Sequence, residues 1–94
     1  MGAGELSEDE YLETLGKERR RYAWVLERYL GKTAAAAHAE ALRFYEYEPP
    51  DVANRGLVFH NDAWHWALLG LPGGSYWQTH PEWERPGDEY FDVE

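Results

Sequence analysis

The segment 59–70, which reads FHNDAWHWALLG, decides the fold class because its apolar residues fit two periodicities. Alternate residues of a strand point to opposite faces of a sheet. A strand would therefore place three large apolar side chains on one face: Trp64, Trp66 and Leu68. Aromatic residues are enriched in strands. We therefore favour a strand in this segment.

The same segment also fits a short helix. Asn61 or Asp62 is an acceptable N-cap, alanine and leucine favour the helix, and Gly70 would end it. Periodicity cannot decide over so short an apolar run. A third short helix at 62–69 is therefore the alternative, and it would make the domain mostly α.

The flanking segments extend the strand interpretation to a small antiparallel sheet. Asn61-Asp62 suits a tight turn on one side, and Pro72-Gly73-Gly74 suits a second turn on the other. Strand-like aromatic or aliphatic residues precede and follow these turns. The predicted strands are about 56–60, 63–70 and 75–78.

The N-terminal part predicts a long helix at about 7–30. Ser7 and Glu10 have the spacing of a capping box, in which each residue satisfies a main-chain N–H of the other. Gly31 suits the left-handed conformation that commonly ends a helix. The helix is amphipathic, with one face rich in leucine and tyrosine.

A second helix is predicted at about 33–48. Thr33 can cap it, and Pro49-Pro50 would end it because a residue before proline avoids the helical region. The connection to the first helix is very short. We therefore predict an antiparallel helical hairpin.

Together these elements predict one α+β domain over residues 1–94. The N-terminal hairpin would pack on the small antiparallel β-sheet, and an acidic tail would follow at 79–94. Aromatic residues make up 16% of the chain, so a few large rings would supply much of the core. We expect the hairpin to cover Trp64 and Trp66 and to leave no open pocket there.

Arg19 interrupts the apolar face of the first helix. Its charge must reach water or a carboxylate, because an unpaired buried charge is costly. The candidate partners are Glu40 and Glu46 of the second helix.

The net charge of −9 and the absence of cysteine restrict the function classes. A negative field opposes general binding to nucleic acid and favours a basic partner. Without cysteine there are no disulfides, thiolate nucleophiles or common structural zinc sites. The apolar runs are far shorter than the roughly 20 residues that span a bilayer. We expect no membrane partner and a cytoplasmic location.

The motifs that resemble chemical sites are weak. Gly31-Lys32-Thr33 matches the end of a P-loop, but Leu26 stands where that motif needs glycine. His80 lies near Glu82, yet no nucleophile accompanies them. The histidines have no spacing that indicates a local metal site: His38, His60, His65 and His80. We expect no catalytic residue, no metal site and no cofactor.

A basic face of the first helix is the best candidate contact surface. Most basic residues of the chain lie in 17–32, and arginine beside an indole can bind carboxylates or stack on flat groups. A tryptophan in the tail is expected to stay partly exposed. The predicted partner-binding residues are Lys17, Arg20, Arg21, Trp24, Arg28 and Trp83. Alternatively, the acidic segment 84–94 docks on this face within the same chain.

The absence of catalytic motifs, the segregated charge and the surplus of aromatic residues favour a non-enzymatic function. The sequence predicts a small acidic protein–protein interaction or regulatory module. The partner would be another protein, with a basic one favoured, or a second copy of this chain. The alternative is a small-ligand or metal-binding protein that uses the histidines and aromatic residues.

Overall fold

Every regular element in the described part of the chain is helical. The computed structural model describes residues 7–71 and 75–93, and these contain no strand. The α-helices there are α1 Glu8–Leu30, α2 Ala34–Phe44, α3 Ala63–Leu68, α4 Tyr76–Thr79 and α5 Asp88–Phe91. Two 3₁₀ turns are present as well, Leu57–His60 and Pro81–Trp83. The predicted α+β fold is therefore wrong, and the protein is a small helical one.

The two N-terminal helices begin at side-chain caps. The Ser7 hydroxyl accepts the Glu10 N–H at 3.1 Å, and the Glu10 carboxylate accepts the Ser7 N–H at 3.0 Å. Gly31 follows α1 in the left-handed conformation, with φ 70°. The Thr33 hydroxyl accepts the Ala36 N–H at the start of α2. α1 and α2 pack against each other as a helical hairpin.

α2 ends at Phe44, within the predicted range of 33–48. The Arg19 guanidinium of α1 donates two hydrogen bonds to the Tyr45 carbonyl, at 2.9 Å and 2.6 Å. A carbonyl at a helix end needs such a partner because it has none within the helix. Arg19 thus binds a main-chain oxygen in place of the predicted glutamates, and it satisfies the carbonyl at the end of α2.

Helical segments replace all three predicted strands. The predicted strand 56–60 contains a 3₁₀ turn, 63–70 contains α3, and 75–78 contains the first part of α4. The turn predicted at Asn61-Asp62 is the entry into α3. The turn predicted at Pro72-Gly73-Gly74 lies outside the described residues.

Burial along α3 follows a helical period. Side chains that are at most 2% exposed belong to Ala63, Trp64, Ala67 and Leu68. Such pairs, spaced by four, lie on one face of a helix. Trp66 lies on the other side, is half buried, and donates its indole N–H to the Val58 carbonyl at 2.8 Å. The alternative prediction of a short helix at 62–69 therefore describes this segment correctly.

Side chains from distant elements bind the N–H groups that open α3. The Ala63 N–H donates to the Glu18 carboxylate at 3.1 Å, and the Trp64 N–H donates to the Tyr90 hydroxyl at 3.2 Å. Asp62 caps the helix through a third N–H. An isolated helix of six residues is unstable in water. Contacts from α1 and α5 therefore hold α3 in its helical form.

α1 runs through the middle of the core and contacts α2, α3 and α5. The largest fully buried side chains are Tyr11, Tyr45, Tyr90, Leu26, Leu68 and Val25. Tyr29 of α1 packs edge-on against Trp64 and Trp83, with ring centres 5.2 Å and 5.0 Å apart. Edge-to-face packing of this kind is favourable for aromatic rings. The expected cover is present over the Trp64 ring, which is 2% exposed. It is wrong for Trp66, which is half buried and borders an open apolar hollow.

Arg55 orders the connection between α2 and the first 3₁₀ turn. Its guanidinium carbon lies 3.7 Å from the centre of the Tyr11 ring. It donates to the Glu48 carbonyl and to the Glu8 carboxylate, both at 2.7 Å. The Tyr47 hydroxyl donates to the other Glu8 oxygen, and the hydrogen bonds from Tyr47 and Arg55 lower the pKa of the Glu8 carboxyl. This loop is thereby tied to the first turn of α1.

Candidate functional site

The C-terminal tail covers part of the predicted basic face of α1. Arg21 donates hydrogen bonds to the main-chain carbonyls of Phe91 and Val93, at 3.1 Å and 3.3 Å. Arg28 forms an ion pair with a glutamate of α5 at 3.1 Å. The alternative prediction was that segment 84–94 docks on this face, and residues of that segment contact both arginines.

The two tryptophans of the predicted contact surface are half buried within the molecule. Trp24 packs against Tyr29 and Tyr90, with ring centres 6.1 Å and 6.4 Å apart. Trp83 stacks on His80 with ring centres 4.0 Å apart, and it packs edge-on against Tyr29. Both indoles therefore help to attach the C-terminal half to α1.

Lys17 and Arg20 lie beside Arg21 and next to the docked tail. They border a surface cleft of about 310 Å³ whose lining is Glu13, Lys17, Arg20, Arg21, Phe91 and Val93. Lys17 and Arg20 are exposed, and Arg21 is half buried. The six predicted partner-binding residues thus form a cleft-lining group and a group that supports the tail, and Arg21 belongs to both.

A second surface, which the sequence-based predictions missed, consists of large apolar side chains. We call it the aromatic strip and define it as Phe44, Leu57, Trp66 and Trp77. Leu57 is 64% exposed, Trp77 is 43% exposed and Phe44 is 38% exposed. The Phe44 and Trp66 ring centres lie 5.6 Å apart, and the His65 ring lies between the Trp66 and Trp77 rings at 5.5 Å and 6.3 Å. The strip therefore spans α2, α3 and α4, with the His65 imidazole between its two tryptophans.

The strip borders a shallow apolar hollow of about 400 Å³. The hollow is lined by Leu57, Val58, His60, Asn61 and Trp66. The hydrogen bond from the Trp66 indole to the Val58 carbonyl fixes one wall. The His65 Nδ1 atom lies 3.0 Å from the Tyr76 hydroxyl, which fixes the neighbouring imidazole. Hydrogen bonds thus hold the Trp66 ring of the strip and the neighbouring His65 ring in place.

The helical period of 59–70 is the signal that would have found this surface. In the strand interpretation, Trp64 and Trp66 share a buried face. In the helix, they lie on different sides, so Trp66 reaches the surface. The position of Leu57 carries no such signal, because it depends on how the loop before α3 folds.

Glu18 is the buried charged residue of the described core, with 9% of its surface exposed. Burial raises the pKa of its carboxyl, while the hydrogen bond from Ala63 opposes the rise. The nearby Tyr45 hydroxyl is buried and has no hydrogen-bond partner among the described residues. Burial, followed by the charge of Glu18, raises the Tyr45 pKa, and burial raises the pKa of Tyr90 to about 12. This polar cluster lies inside the molecule, where it positions α3.

The four histidines do not converge. His65 contacts α4, and His80 stacks on Trp83. His38 lies in the groove between α1 and α2, and His60 borders the hollow beside the aromatic strip. Within 7–71 and 75–93, no three histidine, aspartate or glutamate side chains form a group that could hold a metal ion.

The other two motifs occupy structural positions. Residues 31–33 form the helix end and cap between α1 and α2, and Lys32 forms an ion pair with Glu40 at 3.1 Å. The His80 Nδ1 atom lies 3.4 Å from the Glu82 carboxylate, and both side chains reach solvent.

No protein-family model, curated protein or solved structure matches this chain. In the portion of the chain that the structure describes, no helix combines the length and apolar character needed to cross a bilayer. A functional proposal therefore has to come from the surfaces of the molecule itself.

Proposed function

We propose that the protein is a non-enzymatic interaction module that binds another protein through the aromatic strip. The observation that supports this is a surface on which exposed Phe44, Leu57 and Trp77 surround the half-buried Trp66, on a chain of net charge −9. Single exposed apolar residues are normal on protein surfaces, whereas contiguous ones mark contact sites. Aromatic residues are also the commonest energetic anchors of interfaces.

The strip suits binding because its rings are held before a partner arrives. The Trp66 indole is bonded to a carbonyl, and the His65 ring is bonded to Tyr76 and stacked near Trp77. Ordering a mobile side chain on binding costs free energy. Rings that are already fixed avoid most of that cost, so they favour affinity.

The charge of the chain suggests the chemistry of the partner. We expect an apolar contact centre surrounded by basic residues, because a net charge of −9 attracts positive surfaces and speeds their association. The same charge opposes self-association at low salt. A cytoplasmic location stays a prediction of the sequence. The small-ligand or metal-binding alternative stays a prediction of the sequence, although no three histidine, aspartate or glutamate side chains of the described residues form a group that could hold a metal ion.

Photo-crosslinking in the source cells tests this proposal. A photoreactive benzoylphenylalanine replaces Leu57 in one variant and Leu12 in a second. Leu12 is the matched control, because it is also an exposed leucine, 47% exposed, but lies on α1 outside the strip. We expect one discrete adduct from position 57 that position 12 does not give, identified by mass spectrometry.

Competition makes the result specific. Excess unlabelled protein should suppress the adduct, and excess Leu57→Glu protein should not, because a carboxylate on the strip opposes burial of the apolar contact. Equal adducts from both positions would contradict the proposal. An adduct with twice the mass of the chain would mean that the partner is a second copy of this chain. Sedimentation at several concentrations would then confirm or reject self-association.

A further inference from the structure

Asp62 places a carboxylate at the border of the apolar hollow. Asn61 before it and Trp66 after it both line the hollow. Asp62 is exposed, and its Oδ1 atom accepts the His65 N–H at 3.1 Å as the cap of α3. Residues three and four positions apart are neighbours on a helix. The carboxylate therefore lies on the side of α3 that carries His65 and Trp66.

No cation of the described residues forms an ion pair with Asp62. The ion pairs there use other carboxylates: Glu8, Glu40, Glu82 and Glu89. The hydrogen bond of Asp62 goes to a main-chain N–H, which carries no net charge. Burial, followed by the charges of Asp62 and Glu84, raises the pKa of Tyr76, and no described cation opposes this rise. The Tyr76 hydroxyl contacts His65, so the electrostatic field beside the aromatic strip is negative here.

The hollow beside this carboxylate suits an apolar side chain. Leu57, Val58 and Trp66 supply its apolar walls. The Trp66 indole N–H and the Leu57 N–H both donate to main-chain carbonyls, at 2.8 Å and 3.0 Å. These donors are already paired, so an occupant gains from apolar burial rather than from hydrogen bonds to them. A volume of about 400 Å³ is sufficient for one large aliphatic side chain, such as that of leucine.

We propose that the partner protein binds this surface through a segment in which a large apolar side chain lies beside a lysine or arginine. The apolar side chain enters the hollow, and the cation pairs with Asp62. Burial of the apolar side chain supplies affinity, and the charge pair supplies orientation and selectivity. The inference rests on the proposed function, because it names the chemistry of the partner at the aromatic strip.

Three capped dipeptides test the two parts of the proposal: acetyl-Leu-Lys-amide, acetyl-Leu-Gln-amide and acetyl-Ala-Lys-amide. Each is titrated into the isotope-labelled full chain at low salt while backbone amide and indole NMR signals are recorded. We expect acetyl-Leu-Lys-amide to shift the Leu57 and Trp66 signals with a dissociation constant on the order of 1–10 mM. Glutamine in place of lysine should raise that constant about two- to five-fold, the size of one exposed ion pair. Alanine in place of leucine should raise it at least as much, because the hollow is left unfilled. Equal binding of all three peptides, or shifts confined to other regions, would overturn the proposal.

Two variants with the same change in net charge separate Asp62 from the general field of the chain. Asp62→Asn removes the charge and keeps the cap, because asparagine caps helices as well as aspartate does. Circular dichroism checks that the fold is retained. We expect this variant to bind acetyl-Leu-Lys-amide no more tightly than acetyl-Leu-Gln-amide. Glu13→Gln changes a carboxylate of α1 beside the tail and should keep the preference for lysine. An equal loss in both variants would contradict a role of Asp62.

Photo-crosslinking distinguishes failure of this inference from failure of the proposed function. With benzoylphenylalanine at position 57, the added change Asp62→Asn should lower the yield of the partner adduct about two-fold or more. A discrete adduct of unchanged yield would overturn the role of Asp62 and leave the proposed function standing. Peptide binding that depends on Asp62, without any adduct in the source cells, would support this inference and contradict the proposed function. A dimer in sedimentation that Asp62→Asn abolishes would make the occupant a second copy and overturn the assignment to another protein.

Discussion

The N-terminal hairpin and the C-terminal half are both helical, but different contacts stabilise their helices. In the hairpin, 8–44, each helix begins at a cap supplied by the residue directly before it. In the C-terminal half, 57–93, the helices are only four to six residues long. The N–H groups of α3 bind a carboxylate 45 residues away and a hydroxyl 26 residues away.

α3 also begins at a local cap, Asp62, but its first two N–H groups bind side chains from distant elements. A short helix can therefore be specified by its surroundings as well as by its own residues. α1 supplies a buried carboxylate to α3 and aromatic rings to the tail. Helix formation is cooperative, and a few residues cannot offset the cost of nucleation. We therefore expect changes at the contacts between the two regions to be more damaging than changes at the caps of the hairpin.

The largest effect should follow from Trp64→Ala. The Trp64 ring is 2% exposed, and its indole donates to the Trp83 carbonyl at 2.8 Å. Loss of this ring leaves a cavity between the two regions, so the free energy of unfolding should fall by about 3–5 kcal/mol. Urea denaturation followed by circular dichroism measures it. Leu12→Ala, at an exposed site of α1, should change it by less than about 0.5 kcal/mol.

The next effect should come from Glu18→Ala. It removes the acceptor of the buried Ala63 N–H and opens a small cavity, so stability should fall by about 2–3 kcal/mol. Glu13→Ala is the control, because Glu13 is exposed on the same helix. If both variants lose equally little, the buried carboxylate does not hold α3.

The ionisation of Glu18 should make the free energy of unfolding depend on pH, in a direction that its raised pKa fixes. Burial raises its folded-state pKa above the usual 4.5, so the folded protein binds this proton more tightly than the unfolded chain does. The stabilisation that comes from this tighter proton binding is complete below about pH 4.5, and it is lost as the pH rises through the raised folded-state pKa of Glu18. Glu18→Gln keeps an acceptor oxygen without the charge. The stability of wild type relative to this variant should therefore decrease across that window, and an increase would refute the assignment.

A smaller effect should follow from Thr33→Ala, which removes a cap within the hairpin. The expected loss is about 1 kcal/mol, typical of a helix N-cap. The same denaturation experiment measures it. A loss as large as that of Trp64→Ala would contradict the view that the hairpin depends mainly on local signals.

The smallest effect should follow from Arg28→Gln. The Arg28–Glu89 pair joins the two regions, but its side chains are 53% and 66% exposed. Solvent and salt screen such pairs, so the loss should stay below about 0.5 kcal/mol and disappear in 1 M salt. A larger loss that persists in salt would mean that this ion pair, and not the buried contacts, attaches the tail.

The hairpin caps could be read from the sequence because their partners lie three residues apart. Ser7 with Glu10 and Thr33 with Ala36 are of this kind, and Gly31 needs only its own conformational freedom. The partner of the carbonyl that ends α2 could not be predicted, because the Tyr45 carbonyl is bound by a residue of α1. That partner becomes visible only once the helices are packed.

The sequence predicted the helix α3 only as the alternative to a strand. Its apolar residues fit a strand, and the contacts that favour the helix come from Glu18 and Tyr90. For the same reason the aromatic strip was missed, since the exposure of Trp66 follows from the helical period. The basic residues of α1 could be recognised by composition, but their division between tail contacts and the cleft depends on where 84–94 docks.

Native-state hydrogen exchange at the Ala63 amide tests the central claim most directly. Wild type and Glu18→Ala are compared at one pH, with the Ala37 amide of α2 as the internal reference. If the α1 carboxylate holds the start of α3, exchange at Ala63 should accelerate by a larger factor than exchange at Ala37. If both amides accelerate by the same factor, or Ala63 already exchanges freely in wild type, α3 does not depend on that contact.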